Sequence, residues 1–157
     1  MANMIINRAI GVMLQPIWRA RRGLTLGAQG IVVDSSNRIL LVRHGYRSGW
    51  HFPGGGVEWN ETLETALFRE LEEETGVVPQ DAPVLHGVFA NFKRFPGDHI
   101  AIFIVRSWRQ THIPKPNAEI VEQGFFALKA LPGDTVPGAR NRIAEVFHNQ
   151  GISPYWQ

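Results

Sequence analysis

Residues 55–77 read GGVEWNETLETALFRELEEETGV. Glycine, glutamate and arginine stand there at the intervals Gly-x5-Glu-x7-Arg-Glu-U-x-Glu-Glu-x-Gly-U, where U is an aliphatic residue. The fixed positions are Gly55, Glu61, Arg69, Glu70, Leu71, Glu73, Glu74, Gly76 and Val77. With average residue usage, such a match arises by chance on the order of once in ten million chains of this length. The segment therefore indicates a specific function.

The spacing predicts a helix from about Asn60 to Thr75, with Asn60 as N-cap and Gly76 as the stop. At about 100° per residue, one side of that helix is apolar and should face the core. The residues on this side are Leu63, Ala66, Leu67 and Leu71. Three carboxylates, those of Glu70, Glu73 and Glu74, lie on or beside the same stripe. A solvated helix would instead place its glutamates opposite the leucines.

Three ionised carboxylates on one inward-leaning face repel one another. Two unit charges about 4 Å apart cost roughly 4 kcal/mol at an effective dielectric near 20. A divalent cation would remove this cost, and oxygen-only ligands favour Mg²⁺, or Mn²⁺ as a substitute, over zinc. The preceding Pro53-Gly54-Gly55-Gly56 segment lets the backbone approach a ligand closely.

With these residues in place, the segment resembles the signature box of the Nudix hydrolase family. The resemblance implies an α/β/α sandwich with a mixed β-sheet. It follows the order of elements over residues 24–150, although its specificity rests on residues 53–77. We expect an N-terminal helical extension at residues 1–22 and a Nudix domain at residues 23–157.

The resemblance also implies the reaction, which is Mg²⁺-dependent hydrolysis of a diphosphate bond in a nucleoside diphosphate joined to another group. Carried over residue by residue, it assigns metal binding to Glu70, Glu73, Glu74 and the Gly54 carbonyl, and electrostatic support to Arg69 and Glu61. The general base varies in position within the family, and the candidates here are Glu70, Glu119 and Glu122.

The rest of the chain is basic. Net charge is +2, yet seven of the fourteen acidic residues lie in the box, and thirteen of the sixteen basic residues are arginine. Such a surface attracts phosphorylated small molecules or nucleic acid. The candidate phosphate contacts are Arg43, Arg47, Lys93 and Arg94. The candidate stacking rings for a base are Tyr46, Trp50, Trp59 and Phe92.

Composition bounds the remaining possibilities. A chain of 157 residues suits one catalytic domain, and the lack of cysteine fits a reducing cytoplasm. No apolar run approaches the length of a membrane span. Residues 3–20 carry apolar side chains at helical spacing, which predicts a helix that packs on its own domain or on a partner.

Outside the box, the pattern predicts strands at 24–33, 39–44, 84–91, 99–108 and 124–128, and a final helix at 139–149. The polar segments 34–37 and 95–98 should form turns.

Two further functions compete with hydrolysis of a small nucleotide. One is a binding module that recognises a nucleotide without cleaving it, which usually accompanies losses in the box. The other is an RNA 5′-end pyrophosphohydrolase, which the arginines favour but which lacks an aromatic-basic RNA motif. A homodimer is compatible with the family, with the N-terminal helix or the Tyr155-Trp156 tail covering the partner.

Overall fold

The computed structural model describes residues 23–157. The two helices of this range are Leu63–Thr75 (α1) and Pro137–His148 (α2), and a 3-10 turn spans Leu128–Ala130. Its strands are Thr25–Val32 (β1), Arg38–His44 (β2), Trp50–His51 (β3), Gly54–Gly56 (β4), Val77–Pro79 (β5), Val84–Ala90 (β6), Asp98–Val105 (β7), Trp108–Gln110 (β8) and Ile120–Ala127 (β9).

The strands form a four-stranded sheet in the order β4-β1-β7-β6, a three-stranded sheet in the order β3-β2-β9, and the β5-β8 pair. β1 and β7 run parallel over eight residues, whereas β4, β6 and the strands of the smaller sheets pair antiparallel. The parallel pair requires a long crossover, which α1 and the segments on either side of it supply. The predicted mixed sheet is confirmed.

Alternate residues of the central strands face two separate cores, as the period of a strand requires. Ala28 and Val32 of β1 face a core that α1 completes with Ala66, Leu67 and Leu71. Ile31 of β1 faces the other core, which α2 completes with Ala139 and Ile143. The sheets therefore lie between two helices, which confirms the α/β/α arrangement.

The predicted strands and the final helix are confirmed, with ends shifted by up to four residues. The largest shift is at β9, which begins at Ile120 rather than at residue 124. The short strands β3, β4, β5 and β8 were not predicted, because two or three residues are too few to show an alternating pattern.

The prediction for the start of α1 was wrong. The helix begins at Leu63, and Thr62 is its N-cap, because the Thr62 hydroxyl accepts a hydrogen bond from the Thr65 backbone. Asn60 instead has φ of 63° in the preceding turn. Gly76 is confirmed as the stop, with φ of 71° and its N–H bonded to the Glu72 carbonyl.

The C-terminal tail packs inside its own domain. Trp156 is 6% exposed and belongs to the core that α2 completes. Its backbone N–H donates to the Ala90 carbonyl. The expectation that Tyr155-Trp156 covers a partner is therefore wrong for Trp156, because its ring is already buried in the domain. The predicted N-terminal helix lies outside the described residues. Within residues 23–157, neither helix has the length and apolar content needed to span a membrane.

We expect Gly76→Ala to lower the free energy of unfolding by at least about 2 kcal/mol. A Cβ at this left-handed position would overlap the carbonyl oxygen of His112. Gly133→Ala is the matched control, since a Cβ there meets no atom within 4 Å. Urea unfolding of both variants measures the difference, and equal midpoints would contradict this reading of the helix end.

Candidate active site

The packing of α1 on β1 sets the position of the acidic residues. Leu67 and Leu71 are fully buried, and their side chains lie in van der Waals contact with the place where a Cβ of Gly30 would be. This close approach turns the flank of α1 toward β4. A Cβ at Gly55 would overlap the carboxylate of Glu70, so a larger residue there would displace this carboxylate.

Glu74 is the most buried acid of the site, at 5% exposure. Its Oε2 accepts a hydrogen bond of 2.8 Å from the Gly54 N–H, which ties the end of α1 to β4. Burial raises the pKa of Glu74 to about 8, and the charges of Glu70 and Glu119 act in the same direction. Within residues 23–157 Glu74 forms no ion pair. An uncompensated carboxylate this deep is costly when ionised.

Arg69 joins the loop before α1 to the acids of the helix. Its guanidinium donates to both carboxylate oxygens of Glu61 at 3.0 Å, to Glu70 Oε1 at 2.7 Å and to the Gly56 carbonyl at 3.1 Å. The hydrogen bonds from Arg69 lower the pKa of Glu61. The pKa of Glu70 is raised despite Arg69, because burial is the stronger effect.

Glu73 does not share the inward orientation that the helical phase predicts. Its side chain is 63% exposed and lies 3.6 Å from the Arg69 guanidinium. Arg69 and Glu73 are four residues apart, the spacing at which side chains pair along a helix surface. The expectation of a shared inward face is therefore right for Glu70 and Glu74 and wrong for Glu73. Its predicted role as a metal ligand is untested by this placement.

Seven of the sixteen predicted site residues line one cavity of about 380 Å³. Its wall includes Gly54, Gly55, Gly56, Glu70, Glu74, Glu119, Arg47 and Arg94. A second cavity of about 400 Å³ shares Gln29, Tyr46, Arg47, Arg94 and Ile100 with the first. The acids, the glycine segment and two arginines therefore surround one continuous recess.

Arg47 is held at the rim of this recess by its neighbours. Its Nη2 donates to the Tyr46 hydroxyl at 3.1 Å and lies 3.3 Å from His44 Nε2. Burial, followed by the charge of Arg47, lowers the pKa of His44 to about 4. A neutral His44 accepts a hydrogen bond from the guanidinium without competing with it for an anion.

Other predicted contacts lie elsewhere. Arg43 lies over the Trp50 ring, at 4.9 Å from its centroid, and pairs with Asp134 at 3.0 Å and with Glu122 at 3.9 Å. Trp59 is 86% exposed. Phe92 lines a separate small cavity beside Tyr155, together with Lys93. These residues are not gathered around the recess.

Gln29 was not among the predicted site residues, although it lines both cavities and is only 9% exposed. One signal was available, because Gln29 is a lone amide in the otherwise apolar stretch AQGIVV.

The donor set fits a hard divalent cation. Glu70, Glu74 and Glu119 offer only oxygen, and burial together with the charges of Glu70 and Glu119 raises the pKa of Glu74, an effect that a bound cation would oppose. Among residues 23–157, no three acidic or histidine side chains are already arranged as a complete metal site.

Comparison with known proteins agrees with this geometry. A model of the NUDIX domain matches residues 23–148. An 8-oxo-dGTP diphosphatase of Proteus vulgaris is 36% identical over 88 residues, which are 52% of this chain and 76% of that protein. An ADP-ribose pyrophosphatase of Methanocaldococcus jannaschii is 36% identical over 105 residues, 64% of this chain and 61% of that one. An RNA pyrophosphohydrolase of Teredinibacter turnerae is 43% identical over 113 residues, 67% of this chain and 56% of its own length.

Among solved structures, a MutT NUDIX hydrolase from Burkholderia pseudomallei superposes with a TM-score of 0.67 at 25% identity, over 78% of this chain and 97% of that one. A UDP-X diphosphatase superposes with a TM-score of 0.64 at 23% identity, over 91% and 71%, and shows the fold.

The raised pKa of Glu74 predicts how the stability of the metal-free protein depends on pH. Between the ordinary value of 4.5 and about 8, folded Glu74 keeps a proton that the unfolded chain has lost. Folding stability then falls as pH rises, by about 1.4 kcal/mol per pH unit from this group. We expect Glu74→Gln to abolish most of this fall.

Urea unfolding at pH 5 and pH 8 in the presence of a chelator measures the effect. Glu72→Gln, on the exposed side of the same helix, is the control and should retain the wild-type pH dependence. If wild type and Glu74→Gln lose the same stability over this range, the carboxylate is not buried as described.

Proposed function

Because the chain belongs to the Nudix hydrolase family, we propose that it hydrolyses a diphosphate bond in a nucleoside diphosphate linked to another group. Substrates of this class include nucleoside triphosphates, nucleotide sugars and ADP-ribose-like compounds. The observation that carries the proposal is the recess itself, which is lined by Glu70 and Glu74, by the glycine segment, and by Arg47 and Arg94.

The cation in this proposal is Mg²⁺, with Mn²⁺ as a substitute. Glu70, Glu74 and the Gly54 carbonyl would hold it, with Glu73 of the same helix as a further carboxylate. When bound, Mg²⁺ neutralises phosphate oxygens and lowers the pKa of water. Arg69 donates hydrogen bonds to the Glu70 carboxylate and to the Gly56 carbonyl, so that Glu70 keeps a fixed orientation.

The two arginines at the recess would bind the diphosphate. Arg47 is oriented by Tyr46 and His44, and Arg94 is exposed on the loop after β6. Guanidinium groups form paired hydrogen bonds with phosphate oxygens, which fixes the phosphate in position as well as neutralising it. Attack by water on phosphorus depends on this positioning more than on covalent chemistry by the protein.

A carboxylate must accept the proton of the attacking water. Glu119 lines the recess, whereas Glu122 is directed toward Arg43 on β2. We therefore favour Glu119 over Glu122 as the general base, with Glu70 as the alternative within the box. The candidates have their carboxylates in different places, which makes single substitutions informative.

The similarity to the Teredinibacter turnerae protein supports a second candidate, which is removal of pyrophosphate from the 5′ end of RNA. The chemistry at the recess is the same in both cases. The two candidates differ in whether the basic surface binds the rest of an RNA strand. A nucleotide-binding module without turnover is the third possibility, and the intact box argues against it.

A panel of nucleotides assayed for phosphate or pyrophosphate release with Mg²⁺ tests the proposal. We expect turnover of at least one small substrate and a loss of about 100-fold or more in kcat for Glu74→Gln. Glu72→Gln should retain activity. Cleavage restricted to 5′-triphosphate RNA, with salt-dependent binding, would favour the second candidate. Tight nucleotide binding without turnover would identify a binding module and contradict hydrolysis.

Mg²⁺ should also raise the melting temperature of the protein, because it relieves the repulsion among the acids. Glu73→Gln and Glu74→Gln should each reduce this increment, and the double variant should lose most of it. In metal-free buffer at pH 8, Glu74→Gln should be at least as stable as wild type, because it removes a buried charge. An unchanged response to Mg²⁺ in all three variants would contradict the assignment of these ligands.

A further inference from the structure

Gln29 is a buried amide in the middle of a central strand. It lies on β1 between Ala28 and Gly30, opposite Gly54 of β4 and opposite Ile102 of β7. The next residue on the same face of β1 is Ile31, which belongs to the core that α2 completes. An apolar side chain would suit this position, so the choice of glutamine needs a reason.

The Oε1 atom of Gln29 is buried and has no hydrogen-bond partner among residues 23–157. Leaving such an acceptor unpaired costs roughly 1–3 kcal/mol. Two other amides of this range do have partners, since Asn91 donates to Asp98 at 2.7 Å and Gln110 donates to the Thr75 carbonyl at 2.8 Å. A ligand that reaches Gln29 from the cavities it lines would therefore supply a partner that the described residues do not.

Gln29 lies where the two cavities meet, because it lines both of them. The first cavity holds the acids and the glycine segment, where the proposed function places the diphosphate. The second extends toward His51, Asn91 and Trp156. A group that extends from the diphosphate into the second cavity passes Gln29, and the group attached to the diphosphate on the nucleoside side is a sugar.

Two neighbouring polar groups are already engaged. His51 Nε2 is paired with the Ser48 carbonyl at 2.9 Å, and the Tyr46 hydroxyl accepts from Arg47. Phosphate oxygens are matched better by the guanidinium groups of Arg47 and Arg94 than by a neutral amide. A hydroxyl group both donates and accepts, so it satisfies the Gln29 amide whichever end of the amide faces it.

We propose that Gln29 is a specificity-determining residue that hydrogen-bonds a sugar hydroxyl next to the diphosphate, so that the protein prefers ribose-containing to deoxyribose-containing substrates. This inference rests on the proposed function, which places the diphosphate in the first cavity. It adds a residue and a selectivity that the metal-binding carboxylates do not supply.

The test compares each substrate with its 2′-deoxy and 3′-deoxy analogues in wild type and in Gln29→Met, which keeps the side-chain length but lacks the amide. In wild type, one of the two deletions should lower kcat/KM by about tenfold. In Gln29→Met the same deletion should leave kcat/KM almost unchanged. Gln29→Leu is a second variant in case the methionine variant does not fold.

Melting temperature without metal or nucleotide separates this role from a structural one. Because Gln29 Oε1 has no hydrogen-bond partner in residues 23–157, Gln29→Met should melt at or above the wild-type temperature. Gln123→Met is the matched control, since Gln123 is partly buried on β9 and lines neither cavity. It should keep the wild-type preference for the hydroxyl.

Undiminished discrimination in Gln29→Met would overturn the inference, as would a uniform loss of activity on all sugars together with a lower melting temperature. Discrimination that follows an amino group of the base instead of a sugar hydroxyl would also overturn it. If wild type cleaves nothing in the panel, the proposed function fails separately. Calorimetric binding of each ribose and deoxyribose pair to wild type and Gln29→Met then decides the role of Gln29.

Discussion

The hydrogen bond from the Gly54 N–H to the buried Glu74 carboxylate links the two halves of the site. Gly54 belongs to β4, at the edge of the four-stranded sheet, and Glu74 belongs to the last turn of α1. The bond stabilises the ionised form of Glu74, but burial outweighs it, and the pKa is raised to about 8. The fold therefore places a carboxylate where its charge is only partly balanced, and a cation supplies what is missing.

Packing and charge are coupled through the phase of α1. The residues that bury the helix, Leu67 and Leu71, lie three residues before Glu70 and Glu74 respectively, so seating the leucines on β1 brings the acids to the glycine segment. Arg69 then balances part of the negative charge, because it pairs with Glu61 and Glu70 at once. One guanidinium cannot neutralise all of these acids. Among the ion pairs of residues 23–157, none joins Arg69 to Glu74.

This coupling explains how much the sequence could predict. Helical phase correctly indicated that Glu70 and Glu74 face inward, because their direction follows from the leucines. Helical phase failed for Glu73. This residue lies at the margin of the apolar stripe, and its orientation follows from its pairing with Arg69. The N-cap was misplaced because Asn60 and Thr62 are both good caps, and only the turn geometry selects Thr62. The burial of Trp156 and the position of Gln29 depend on contacts between distant segments, which a local pattern does not contain.

The domain contains buried charges in two different situations. On the α2 side, the fully buried Arg142 bonds to Glu145 and to the Tyr155 carbonyl, and its guanidinium stacks on Phe89, so a buried charge is matched by a buried partner. At the recess, the opposite holds for Glu74 and Gln29. The buried ion on the α2 side is thus paired with a carboxylate of its own helix. At the recess, Glu74 has no ion-pair partner and Gln29 Oε1 has no hydrogen-bond partner among residues 23–157, which is consistent with a site whose missing partners belong to a ligand.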